Sequence, residues 1–160
     1  LAGLHHNDAS SQSMSYELLF RTANALLVAH EDKEQIFRIM IFNLLFGNRD
    51  DHAKNFSFLM NKKGQWRFSP AYDLTFATHK NAAPWHQMTI DAKATKIPAK
   101  SIQKIAKEFS ISNYKEIIQK VLQVREELLS ELIKKYLISD TILQDVLNTT
   151  NEQAKLLKEI

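Results

Sequence analysis

The sequence predicts a mainly α-helical domain: a bundle of helices around one buried helix, with a single small β-hairpin. Three observations carry this. The chain has only three Gly and three Pro in 160 residues, too few turn-forming residues for a strand-rich fold. Residues 36–46, "IFRIMIFNLLF", are apolar on nearly every side, and a helix apolar all round is a buried one. Two short alternating segments flank "NKKG" at 61–64, the pattern of a hairpin.

The elements follow in order. Residues 1–13, rich in Ser, Asn and Asp, read as a leading loop. His5 and His6 are adjacent and lack the i,i+4 spacing of a helical metal pair. A first helix is expected over about 15–30, from Leu18, Leu19, Ala23, Leu26 and Leu27, capped by Ser13 or Ser15. The second, over about 33–46, opens on Asp32 and Gln35 at capping-box spacing. Gly47 suits its end, where a left-handed residue is wanted. "NFSFLM" and "QWRFS" give the hairpin strands. Residues 75–98 read as a long loop with a short strand at "QMTIDA". Helices over 100–110, 114–136 and from a Ser139 or Asp140 cap towards Ile160 complete the domain.

Composition narrows the function classes. There is no Cys, which excludes thiol catalysis, disulfides and Cys-based zinc and fits a cytoplasmic location. No apolar run reaches the ~18 residues of a membrane span, so no membrane partner is expected. The net charge is +3. Lys93, Lys96, Lys100, Lys104 and Lys107 face one acid between 91 and 107, a run that is either a solvated face or a surface for nucleic acid or an acidic partner. The solvated face is the expectation.

The chemistry concentrates at 50–55, "DDHAKN", where the buried helix ends and the hairpin begins. Asp50 and Asn55 are five apart, and Asp73 follows across the hairpin, whose fold-back can gather all three. One Asp, one Asn and a second Asp make a hard-oxygen set suited to Mg²⁺. The same order occurs in protein kinases, where D-x-x-x-x-N supplies a catalytic Asp and a metal-binding Asn, and a later Asp holds the second metal contact. Asn48-Arg49 stands where His-Arg is usual, Leu74-Thr75 where Phe-Gly is usual, and A-P-E is absent.

"FNLLFGNRDDHAKNFSFL" and "FSPAYDLTFA", with the opening "LAGLHHNDASSQSMSYELLFRTANAL", closely resemble the C-terminal part of HipA-like serine/threonine kinases, the toxins of bacterial toxin–antitoxin systems. The resemblance spans about 1–77. It implies a protein-kinase-like C-terminal lobe, with ATP and Mg²⁺ as cofactors. It implies Asp50 as catalytic base and Asn55 and Asp73 as metal ligands. His52, Ala53, Lys54, Asn55, Tyr72 and Asp73 would line the nucleotide. Asp51 falls at a position treated as variable, and Arg49 would pair with an acid or assist the loop. The resemblance also implies a protein substrate, such as an aminoacyl-tRNA synthetase, and an antitoxin partner, with DNA reached only indirectly.

A kinase also needs a Gly-rich phosphate loop and a strand Lys, and the sequence has neither. The expectation is therefore one C-terminal lobe over 1–160, without the N-terminal nucleotide-binding lobe and inactive alone. The start at Leu1 suggests a piece of a longer or split protein. Two alternatives stay open: a non-catalytic helical module docking an antitoxin, DNA or a complementary subunit, and a Mg²⁺-dependent nuclease using Asp50, Asp51 and Asp73.

Overall fold

The structure is a computed structural model that describes residues 14–77, 85–135 and 140–160, with the side chains of 132–143 outside the description. Its helices are α1 (Tyr16–Ala25), α2 (His30–Phe46), α3 (Ala99–Glu108), α4 (Tyr114–Lys135) and α5 (Asp140–Lys158). Its strands are β1 (Phe58–Met60) and β2 (Trp66–Phe68). The fold is mainly helical with one two-stranded antiparallel hairpin. The leading loop with His5 and His6, Ser139 and the side chain of Asp140 lie outside the description, so the expected cap is not seen.

Helix α2 is the axis of the core. It packs against α1, α4, α5 and β2. Ile36, Phe37, Met40, Ile41 and Leu45 are completely buried, each contributing roughly 1.5–3 kcal/mol relative to exposure. The expectation from its all-round apolar sequence holds. Gly47 ends the helix at φ 64° and ψ 32°, the left-handed geometry that a side chain with a Cβ resists.

The helix starts three residues before its expected position, and Asp32 does not cap it. Ala29 is the N-cap, with no side-chain hydrogen bond. Asp32 instead reaches across the fold, where its Oδ2 accepts from the Phe68 amide at 2.9 Å. A two-stranded sheet leaves strand edges unpaired, and this carboxylate satisfies one such donor on β2 while fixing the hairpin to α2.

Helix α1 is shorter than its apolar pattern suggests. Ser15 caps it as expected, its Oγ accepting from the Leu18 amide at 3.1 Å. The helix stops at Ala25 because Leu27 turns to φ 53°. Leu27 is then 87% exposed, and the face that packs is Tyr16, Leu19, Phe20 and Ala23.

The hairpin pairs Phe58 with Phe68 and Met60 with Trp66. Its turn is held by Asn61, whose Oδ1 accepts from the amides of Lys63 and Gln65, and by Gly64 at φ 77°. Phe58 and Phe68 pack edge to face, but Met60 is exposed, so the inward face covers only part of the expected alternation. The strand expected at "QMTIDA" is reduced to two isolated bridges, Ser15 with Thr89 and Ile90 with Lys93. These bridges still hold the long segment to the start of α1. The Tyr16 amide donates to the Thr89 carbonyl at 3.0 Å, and the Thr89 amide to the Met14 carbonyl at 3.0 Å.

The C-terminal helices close the bundle. Helices α4 and α5 both lie on α2, and a buried Arg125 joins them. It donates to Thr150 Oγ1 at 2.8 Å and Asn151 Oδ1 at 2.6 Å. Among the described residues no helix is long and apolar enough to cross a membrane.

Candidate functional site

The loop between Gly47 and β1 has an outward side and an inward side. Asp50 faces outward, its side chain 61% exposed. A single 3-10 turn, Ala53–Asn55, follows, and its hydrogen bonds close the loop on itself. The Asn55 amide donates to the His52 carbonyl at 2.9 Å. The Asn55 Nδ2 donates to the Asp50 carbonyl at 3.0 Å. The five-residue spacing of Asp50 and Asn55 is therefore a ring, not an extended loop. With Nδ2 committed, Oδ1 is the hard-oxygen atom with which Asn55 could meet a cation.

Tyr72 reaches this ring from beyond the hairpin, while Asp73 meets the loop only through its backbone carbonyl on Asn48. The Tyr72 hydroxyl donates to the Lys54 carbonyl at 2.7 Å and lies 2.6 Å from Ser57 Oγ. It thus ties the residue before Asp73 to the residue before Asn55. Asp73 is exposed, with φ 53°, and its carbonyl accepts from Asn48 Nδ2 at 3.4 Å. The Ala77 amide donates to the Gly47 carbonyl at 3.1 Å, so the segment after Asp73 returns to the end of α2. Lys54 is exposed, and Tyr72 and Phe76 are each 41% exposed.

The inward side is a buried polar network that sequence reasoning passed over. Asp51, treated as a variable position, has no exposed surface at all. Its Oδ1 accepts from the amides of Gln87 at 2.8 Å and Met88 at 3.2 Å. Its Oδ2 accepts from the Tyr16 hydroxyl at 3.0 Å and lies 3.1 Å from His86 Nδ1. A buried carboxylate is tolerated when its lone pairs are met in this way. Tyr16 in turn accepts from Asn43 Nδ2 at 3.0 Å, and Asn43 Oδ1 accepts from Asn48 Nδ2 at 3.0 Å. Burial and the Asp51 charge push the Tyr16 phenol well above its ordinary value, which keeps it a donor to Asp51.

One chain of contacts therefore runs from His86 through Asp51, Tyr16, Asn43 and Asn48 to the Asp73 carbonyl. The signal that could have found it was Asn43, the one polar residue in the apolar run 39–46. A buried amide needs partners, and its partners are the loop.

His52 stands between the two sides. Its Nε2 is 3.9 Å from Asp50 Oδ1, and its Nδ1 is buried without a hydrogen-bond partner among the described residues. Of the two roles expected for Arg49, pairing with an acid is not found among the described residues; its backbone carbonyl accepts from the Gln87 amide at 3.3 Å. The three-carboxylate arrangement needed for a two-metal nuclease is not formed, because Asp51 is turned inward and fully used. Among the described residues no three His, Cys, Asp or Glu side chains gather into a metal-holding group. The lysine run is also not one continuous patch. Lys93 and Lys104 both close on Asp91, at 2.9 and 2.6 Å.

Comparison with known families decides the lineage. The HipA-like C-terminal domain family matches residues 1–129. The chain belongs to that family. Its fold is similar to that of HipA from Shewanella oneidensis MR-1, solved as a complex of HipA, HipB and operator DNA, with a TM-score of 0.66 at 22% identity. That likeness covers 91% of this chain and 35% of the Shewanella chain, so the HipA-like chain described here spans little more than a third of that protein. No curated protein matches it.

Proposed function

We propose that this chain is the catalytic-loop lobe of a HipA-type serine/threonine kinase, transferring a phosphoryl group from magnesium-bound ATP to a protein hydroxyl. The observation that carries this reading is the closed ring of Asp50 and Asn55, tied through Tyr72 to the Asp73 segment. Phosphoryl transfer asks a protein mainly for positioning and charge, and this arrangement offers both.

In this reading Asp50 takes the proton of the attacking hydroxyl. Its exposed carboxylate fits that task, with the His52 imidazole 3.9 Å away. Asn55 Oδ1 and the Asp73 carboxylate would hold Mg²⁺, a small donor set that leaves room for water and phosphate oxygens. The bound ion would neutralise charge on those oxygens. His52, Ala53, Lys54 and Tyr72 would line the phosphates, Lys54 as the mobile cation. Residues 1–160 act as one lobe. The nucleotide-covering lobe, with its Gly-rich loop, comes from elsewhere in the polypeptide or from a second chain.

The Shewanella likeness supports an antitoxin of the HipB kind as partner, with DNA met only through it. The family resemblance supports a substrate in the translation machinery, such as an aminoacyl-tRNA synthetase. The test of the core claim is phosphate incorporation by this chain joined to its nucleotide-covering lobe. Transfer to Ser or Thr is expected, and Asp50→Ala should lower it by a factor on the order of 10³ or more. Near-normal transfer by that variant would remove Asp50 from the base role. The lobe alone should bind magnesium-ATP weakly in calorimetry, and tight binding would contradict the two-lobe reading.

A further inference from the structure

A cavity of about 280 Å³ lies between the end of α2, residues 94–97 and the last turns of α5. It is separate from the ring of Asp50 and Asn55 but shares two residues with the loop's support. Arg49 and His86 line it, together with Thr95, Lys96, Thr149 and Glu152.

The charges in it are unmatched. Neither Arg49 nor Lys96 has a carboxylate within 4.0 Å among the described residues, in contrast to Lys93 and Lys104. Glu152 lies on the wall yet pairs with neither. Arg49 is half-buried, and a cation partly removed from water gains most from a counter-charge. Lys96 is held at φ 46°, a conformation a lysine adopts only when its surroundings impose it. Thr95 and Thr149 bring hydroxyls to the same space. His86 has its Nδ1 committed to Asp51, which leaves Nε2 as its second polar atom.

We propose that this cavity binds a phosphate-class oxyanion. Arg49 supplies the planar fork that matches phosphate oxygens, Lys96 supplies the second cation, and the threonine hydroxyls supply neutral donors. The anion is free phosphate or the phosphate monoester of a Ser or Thr side chain; both present the same dianion. Arg49 directly precedes Asp50 and accepts the Gln87 amide, so an occupied cavity would stiffen the loop from beneath. That regulatory consequence rests on the kinase reading; the binding itself does not.

The experiment is isothermal titration of inorganic phosphate, without Mg²⁺ or nucleotide, into the protein carrying Asn55→Ala and Asp73→Ala. Those changes remove the proposed Mg²⁺ ligands, the Arg49 and Lys96 variants below assign the heat to this cavity, and failure here leaves the Asp50 chemistry untouched. Phosphate should bind. Arg49→Gln and Lys96→Gln should each weaken it about tenfold or more, the loss of one charge-assisted contact. Lys107→Gln, on the exposed side of α3, should change nothing. Lys96 is exposed, so its variant keeps the test sound if Arg49→Gln unfolds. No phosphate binding, or binding unchanged in both variants, overturns the proposal. A phosphoserine peptide that displaces phosphate supports it with a polypeptide source. Phosphate binding that excludes the peptide supports it with a free-anion source.

Discussion

Asp50 and Asp51 are neighbours of identical chemistry, yet they do opposite work. Asp50 is mostly in water, and the His52 imidazole is its one ionisable neighbour within 4 Å among the described residues. Asp51 has no exposed surface and receives contacts from four partners on two remote segments. The outward half of the loop leaves its carboxylate in water. The inward half consumes its oxygens in holding the loop. A loop that must present reactive groups needs both, because surface oxygens have no means of fixing their own positions.

The largest effect should come from breaking the inward half. Asp51→Ala leaves two amides, a phenol and an imidazole facing a buried void, and should cost about 3–5 kcal/mol in urea unfolding. Asp50→Ala, one position away, should fall within about 0.5 kcal/mol of the parent in the same measurement. Equal losses at the two positions would erase the distinction.

Asn43→Leu sharpens the comparison from the helix side. Leucine matches the apolar surroundings but leaves Tyr16 and Asn48 short of partners. A loss of about 1–3 kcal/mol is expected, with greater protease sensitivity in the Asp73 segment than in the hairpin. A smaller loss, about 1–2 kcal/mol, is expected from Asp32→Ala, which frees one amide of β2 from α2. Amide exchange should quicken at Phe68 and leave the loop unchanged, because Asp32 belongs to neither of its halves.

The smallest effect concerns pH. Lys104, Lys93 and Ser101 bond the Asp91 carboxylate and hold it well below the usual carboxylate range, while Lys104 is pushed up in return. A carboxylate depressed in the folded state stabilises the fold above its unfolded value, about 3.9. It loses that contribution as pH falls through the folded value. The melting temperature should therefore fall on acidification below about pH 4, and Asp91→Asn should flatten that slope slightly. These groups are near the surface, so added salt should shrink the difference.

Much of the architecture was legible. The all-round apolar pattern of residues 36–46 marked the central helix, because only burial accommodates such a surface. Gly47 marked its end and "NKKG" the hairpin turn, because both positions need backbone angles that few residues accept. The order of Asp50, Asn55 and Asp73 was legible as a motif, and the structure adds the hydrogen bond that closes Asp50 on Asn55. Less legible were features whose partners are distant. Asp32 has the spacing of a cap but bonds Phe68, 36 residues away. Leu27 has the spacing of a core residue but lies beyond the end of α1.

The sequence by itself determined the helical class, the central helix, the hairpin and the family, because periodicity, turn chemistry and motif order are local properties of the chain. The tertiary structure alone decided which of two adjacent aspartates is buried. That choice depends on where Tyr16, His86 and the amides of Gln87 and Met88 come to rest. A carboxylate can leave water only where enough donors meet it, and those donors are brought together by folding, from segments 35 to 37 residues away.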